Sequence, residues 1–112
     1  AHCKVLIVDY PLAPKNKFPI PVEACYESLK WVIENAKMLS INKSKIALLG
    51  DSAGGNLACT SLIMARDNKL NIKPCGLILI YPAIGVRKKT KSMIDFSDTP
   101  ICNSIAYEKY RR

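Results

Sequence analysis

The chain has 112 residues, 49% of them hydrophobic, and a net charge of +8 from 17 basic and 9 acidic residues. This composition predicts one packed domain and excludes a disordered chain. No apolar run approaches the roughly 20 residues that a membrane-spanning helix needs. Much of the basic excess is local, in Arg87–Lys91 and Lys109–Arg112. Because no base-reading or stacking residues accompany it, we expect solvated loop surface and no nucleic-acid partner.

The cysteines indicate free thiols. Five are present, an odd number without any C-x-x-C pair, which argues against a disulfide framework and against a zinc site: Cys3, Cys25, Cys59, Cys75 and Cys102. Free thiols favour a reducing compartment, so the cytoplasm is slightly favoured while the compartment itself stays open. The chain begins without Met and enters directly on a strand-like segment, and we expect it to be part of a longer protein.

The first predicted elements are a strand and a helix. Lys4–Val8 is an unbroken run of mostly β-branched apolar residues, the pattern of a central parallel strand buried on both faces. A proline-rich loop follows, and Pro21 suits the first turn of a helix that we expect to reach about Met38. Apolar residues at three- and four-residue steps predict its buried stripe: Val22, Cys25, Leu29, Val32, Ile33 and Ala36.

The rest of the core repeats this alternation. Lys45–Leu49 is the second predicted strand, Ala53–Asp67 a deeply buried helix, and Gly76–Ile80 the third strand. The order β-α-β-α-β with short connections predicts an α/β fold, with three αβα layers around a parallel sheet. We take residues 1–112 as a partial domain with its core at 3–82. Residues 83–112 then begin a lid or insertion, with a basic loop at 83–92 and a short helix at 103–112.

The segment between the second strand and the second helix carries the chemical motif. Gly50–Gly54 reads G-x-S-x-G, the pattern of a nucleophile elbow, and its strand–turn–helix setting is the one that the motif requires. A serine on such a turn projects its hydroxyl above the sheet. We expect small residues two before and two after Ser52, because neighbouring backbone crowds both positions. The Ala53 N–H would point at a developing oxyanion, helped by the helix dipole.

Two separated motifs together resemble a family. Val8–Pro14, Phe18–Pro19, and Gly50–Ala58 are similar to the α/β-hydrolases of the hormone-sensitive lipase type, which include arylacetamide deacetylases and many bacterial carboxylesterases. The resemblance covers residues 3 to 82 well and the remainder poorly. The family's D-Y-R-L-A-P carries arginine where this chain has Pro11, which removes an ion-pair partner for Asp9.

The resemblance implies hydrolysis of small-molecule carboxylic esters through an acyl-enzyme on Ser52. The oxyanion would be held by the Ala53 N–H together with N–H groups of an upstream His-Gly-Gly-type loop. This chemistry needs neither a metal nor an organic cofactor. In α/β-hydrolases the triad runs serine, acid, histidine along the chain. We therefore expect the 112 residues by themselves to be catalytically incomplete, since no histidine follows Ser52.

The remaining titratable residues are poorly placed to act as the general base or the triad acid. His2 precedes the first predicted strand, at the edge opposite the elbow and some 20 Å away (a six-residue strand rising about 3.3 Å per residue), so we expect a surface residue. Asp95 and Asp98 follow Ser52, but they lie in the segment beyond the last predicted strand and are weak candidates for the triad acid. Asp9 and Asp51 are better explained as loop-ordering residues.

Two alternatives to the enzyme stay open. The first is a non-catalytic small-molecule binding protein that keeps the hydrolase pocket, like the related plant gibberellin receptors. The second is an inactive truncated gene product, because three parallel strands alone would leave two unpaired sheet edges. The presence of Ser52 does not distinguish the enzyme from these alternatives. A serine without a general base is a weak nucleophile, so the base decides whether the protein is catalytic. The sequence leaves the oligomeric state undetermined.

Overall fold

The structure, a computed structural model, describes residues 2–85, 90–100 and 103. Two strands and three helices follow each other along these residues: α1 (Ile20–Glu34), β1 (Ala47–Asp51), α2 (Ser52–Asp67), β2 (Gly76–Ile80) and α3 (Lys91–Asp95). A short 3₁₀ turn at Lys43–Lys45 precedes β1. The bounds of β2 are as predicted, and β1 begins and ends two residues later than predicted.

The two strands form a parallel sheet joined by the crossover helix α2. Leu49 pairs with Ile78 and Asp51 with Ile80 in the register. The predicted α/β class with a parallel sheet is therefore confirmed. Leu48 packs into the helical side of the sheet. Because side chains alternate between the faces of a strand, Leu49 points the other way, and it is 63% exposed.

The core lies between the helices and one face of the sheet. Three residues of α1 and one of α2 are its most buried members, and partly buried residues of β1, of the position just before it and of the loop after α2 pack around them: Tyr26, Leu29, Ile33, Ala65, Ile46, Leu48, Leu70 and Ile72. Ala65 has no exposed surface, so its small side chain lies where the helices meet. Among the described residues the helical layer covers this face, while Ile78 and Ile80 on the opposite face stay 51% and 42% exposed.

The first predicted strand is not formed in the described part of the chain. Residues 4–8 carry the pattern of a doubly buried strand, yet Val5 is 78% and Ile7 88% exposed. A strand needs a hydrogen-bonded neighbour, and within residues 2–85 both strands of the sheet pair only with each other. The segment instead runs beside α1, where Leu6 and Trp31 line a shallow groove. The Lys4 ammonium group donates to the Leu39 carbonyl.

Helix α1 ends four residues earlier than predicted. Asn35 follows its last residue, and both its backbone N–H and its side-chain amide donate to the Trp31 carbonyl at 2.9 Å. A side chain that satisfies a terminal carbonyl in this way competes with continuation of the helix. Turns then carry the chain to Ser40, whose φ is 53°.

The segment after β2 differs from the predicted basic loop. Helix α3 begins at Lys91, where the Thr90 hydroxyl accepts a hydrogen bond from the Met93 N–H at 3.3 Å. Residues 86–89 of that loop, and all but Asn103 of the predicted helix at 103–112, lie outside the described residues. In the described part of the chain, no helix has the length and apolar content to cross a membrane.

Candidate active site

The backbone turns sharply where β1 passes into α2. Asp51 ends the strand in an extended conformation, with φ −108° and ψ 147°, and Ser52 begins the helix with φ 49°. A positive φ is uncommon for a residue with a side chain and costs of order 1–3 kcal/mol unless the surroundings hold it. Ser52 is exposed, so its hydroxyl is open to solvent at the carboxyl edge of the sheet. This is the geometry of a nucleophile elbow.

The crowding expected before the serine is real at Gly50. A Cβ built on Gly50 would lie 2.2 Å from the Gly54 carbonyl oxygen and 2.6 Å from the Gly55 nitrogen. Such distances are far inside van der Waals contact, and backbone atoms cannot swing aside as a side chain would. Only glycine fits here, because the first turn of α2 folds directly over the end of β1.

The crowding expected after the serine falls on a different residue. A Cβ on Gly54 would meet only the Asp51 Oδ1 atom at 3.8 Å, which is an ordinary contact. On Gly55 it would lie 2.8 Å from the Pro82 Cβ and 3.1 Å from the Gly50 carbonyl oxygen. The expectation for Gly54 was therefore wrong. The second glycine, Gly55, allows α2 to approach the segment that follows β2.

That segment is tied to the elbow by two hydrogen bonds. The Ala83 N–H donates to the Ser52 carbonyl at 2.9 Å. The Asn56 side-chain amide donates to the Ala83 carbonyl, also at 2.9 Å. Tyr81, two residues earlier, turns the chain with φ 35°. Both backbone groups of Ala83 thus bond to the first two turns of α2, and the segment after β2 braces the elbow.

Ala53 provides the backbone group expected to face an oxyanion. It is the second residue of α2, so its N–H belongs to those that have no partner within the helix. The positive end of the helix dipole lies at the same place. Asp51 is the N-cap residue, but its side chain makes no capping hydrogen bond within the described residues. The helix end therefore presents backbone donors beside the Ser52 hydroxyl.

Among the residues that the structure describes, no base or acid forms a hydrogen bond with the Ser52 hydroxyl. His2 and Asp9 are exposed in the extended segment. Asp95 forms an i,i+4 ion pair with Lys91 in α3, and Asp98 is exposed. Likewise, no group of three metal-ligating side chains comes together in residues 2–85, 90–100 and 103.

Sequence reasoning missed the residues that brace the elbow. The sequence pattern assigns Pro82 and Ala83 only to the end of a strand and the start of a loop, and Asn56 only to a motif. The doubled glycine at 54–55 was the available signal, because a second glycine in a helix interior is unfavourable unless a close approach requires it. The partner in that approach follows a different strand, which spacing does not reveal.

The sequence pattern of one family, described as the alpha/beta hydrolase fold, matches residues 1–112. The chain belongs to this family. An arylesterase of Saccharolobus solfataricus is 43% identical over 92 residues, which make up 82% of this chain and 29% of that protein. Human hormone-sensitive lipase is 37% identical over 79 residues, 70% of this chain and 7% of the lipase. The resemblance to the hormone-sensitive lipase type is thereby confirmed.

A solved structure supports the same assignment. The hyperthermophilic esterase of the archaeon Pyrobaculum calidifontis superposes with a TM-score of 0.81 at 40% identity, covering 91% of this chain and 34% of the esterase. The α/β-hydrolase chain thus spans about a third, or less, of the length of these esterases. The part of the chain that the structure describes contains the strand that leads into Ser52, the helix that follows it and the neighbouring strand.

Proposed function

We propose that these residues belong to a longer serine carboxylesterase that hydrolyses small carboxylic esters through an acyl-enzyme on Ser52. The observation that carries the proposal is the elbow itself. Ser52 lies exposed at the strand–helix junction with φ 49°, and Gly50 and Gly55 allow the close approaches that hold it there. The esterases matched above agree with this chemistry.

Each part of the proposed mechanism follows from the position of a group. The Ser52 Oγ atom attacks the ester carbonyl carbon, and the carbonyl oxygen becomes an oxyanion. The Ala53 N–H at the positive end of α2 then donates to that oxygen. The general base takes the Ser52 hydroxyl proton during the attack and returns it to the leaving oxygen, so that collapse of the tetrahedral intermediate expels the alcohol and leaves an acyl-serine. Water, deprotonated by the same base, then attacks the acyl carbon, which releases the carboxylic acid and restores the Ser52 hydroxyl.

The general base, the triad acid and the remaining oxyanion donors come, in this proposal, from other parts of the longer protein. His2 is the single histidine of the 112 residues, and it precedes the elbow. A serine hydroxyl without a base is a weak nucleophile. We therefore propose that the 112-residue polypeptide alone is inactive, and that residues 83–112 begin a lid or insertion of the complete enzyme.

The test uses the protein expressed from its complete coding sequence. A fluorophosphonate should label it on Ser52, as located by peptide mass spectrometry, and a short-chain nitrophenyl ester should be turned over. Ser52→Ala should abolish labelling and lower kcat by about 10⁴-fold or more. Ser40→Ala is the matched control, because Ser40 is also exposed with a positive φ but lies in the turns after α1, outside the elbow.

Two outcomes would contradict the proposal. One is label on another residue, or turnover that survives Ser52→Ala. The other is a protein that neither labels nor turns over ester yet binds small apolar ligands, which would favour the non-catalytic binding protein.

A further inference from the structure

We propose that Asn56 is a positioning residue for the proposed ester hydrolysis, acting through Ala83 to orient the Ala53 N–H. The inference rests on the proposed function and adds a residue that does not touch the reacting atoms. It is carried by two hydrogen bonds that meet at Ala83, one from Asn56 and one to Ser52.

The peptide unit between Ser52 and Ala53 links the bond from Ala83 to the proposed oxyanion donor. The Ser52 carbonyl and the Ala53 N–H belong to the same planar unit, so fixing the direction of one fixes the other. The Ala83 N–H donates to that carbonyl at 2.9 Å. The bond therefore restrains rotation of the peptide plane whose opposite end carries the proposed oxyanion donor.

Ala83 is itself held in place by the Asn56 side chain. The residue lies outside β2, so no strand pairing fixes its backbone. Asn56 lies one helical turn beyond Ser52, at the i+4 position, where the two side chains share a face of α2. Its amide donates to the Ala83 carbonyl at 2.9 Å. The two bonds thus close a loop from Ser52 through Ala83 to Asn56 and back along the first turn of α2.

The orientation of the Ala53 N–H affects the rate of the proposed reaction. An oxyanion donor lowers the barrier only if it is already aimed where negative charge develops, and losing one donor typically costs 10²–10³-fold in kcat. The helix already holds this peptide plane loosely in place, and losing the added restraint from Ala83 would widen its range of orientations, which lowers the effect while substrate binding is preserved. Loss of the Asn56 amide should therefore lower kcat and leave KM nearly unchanged.

The experiment compares Asn56→Asp with the unchanged protein, both expressed from the complete coding sequence. Aspartate has nearly the same shape but places an acceptor against the Ala83 carbonyl. Asn56→Ala removes the amide without adding a negative charge near the proposed oxyanion, so the inference requires the same effect from this variant. Asn35→Asp is the matched control, because the Asn35 amide makes an equivalent bond to the Trp31 carbonyl at the distant end of α1. Rates are measured on an ester and on the matching thionoester.

The thionoester separates positioning from a general structural effect. Its sulfur accepts hydrogen bonds poorly, so the ratio of ester to thionoester kcat/KM reports hydrogen bonding to the oxyanion. We expect Asn56→Asp and Asn56→Ala both to lower ester kcat about tenfold or more and to lower this ratio, with Asn35→Asp unchanged in both. Unchanged kcat, or a lower kcat with an unchanged ratio, would overturn the inference. An unchanged protein that neither labels nor turns over ester would instead refute the proposed function itself.

Discussion

Gly55 packs directly against Pro82, so closely that a Cβ on the glycine would lie 2.8 Å from the proline Cβ. This contact joins the first turn of α2 to the segment after β2, and it sits beside the bond from Ala83 to Ser52. The elbow is therefore part of a small interlocked unit built from two strands and one helix, and its parts can be tested separately.

The first prediction compares the two adjacent glycines. Gly55→Ala should lower the free energy of unfolding by about 1–3 kcal/mol, as overpacking typically does, because backbone and proline atoms cannot move aside. Gly54→Ala should change it by less than about 1 kcal/mol, toward greater stability, because the added Cβ meets only an ordinary contact and alanine favours helix. Denaturant unfolding of the complete protein measures both. Equal destabilisation by the two substitutions would contradict the packing described for Gly55.

The second prediction concerns Gly50. Its Cβ position lies 2.2 Å from the Gly54 carbonyl oxygen, so Gly50→Ala must displace the first turn of α2. We expect a loss of at least about 1–3 kcal/mol in the free energy of unfolding and slower fluorophosphonate labelling of Ser52. Labelling kinetics and denaturant unfolding provide the two readouts. Normal labelling in a normally stable Gly50→Ala protein would show that the elbow tolerates a side chain there. Gly76→Ala is a suitable control, since its Cβ would meet only the Ala47 Cβ at 3.8 Å.

The third prediction concerns thiol reactivity. Cys25 lies half-buried in α1, and burial raises the pKa of its thiol above the ordinary value. Since the thiolate is the reactive form, a raised pKa leaves less of it at pH 8. Iodoacetamide should therefore modify the exposed Cys3 and Cys75 before Cys25. Peptide mass spectrometry over time checks the order, and Cys25 reacting first would contradict the packing of α1.

The fourth prediction concerns the isolated 112-residue polypeptide. It should show no measurable turnover of a short-chain nitrophenyl ester, because its single histidine precedes the elbow. It should also self-associate, since Leu49 and its register partner Ile78 are 63% and 51% exposed on the sheet face away from the helices. Activity assays and light scattering test the two statements. Robust turnover that Ser52→Ala abolishes would disprove the proposed inactivity.

Motif and periodicity predicted the elements around the site well. The bounds of β2, the start of α2 within one residue, and the parallel arrangement all follow from apolar runs and short connections. Where an element boundary differs from the predicted one, the hydrogen bonds of a single residue set it. Asn35 ends α1 by bonding the Trp31 carbonyl, which a pattern of apolar spacing does not register.

Residues 4–8, predicted as the first strand, show that strand composition alone does not predict strand formation. Residues 4–8 have the composition of a buried strand, but composition records only what a segment can bury. Strand formation also requires a neighbour to accept and donate backbone hydrogen bonds, and residues 2–85 do not provide one.

The sequence by itself determined the family, the placement of Ser52 between a strand and a helix, and the need for glycine at position 50. These follow from sequence because an elbow needs fixed residue types at fixed spacing. Only the tertiary structure decided which later glycine is crowded and which residues brace the serine. Pro82, Ala83 and Asn56 come together across 27 residues of chain. Their contacts depend on how closely α2 lies against the end of β2, and helix-to-strand distance is a property of packing that no local pattern encodes.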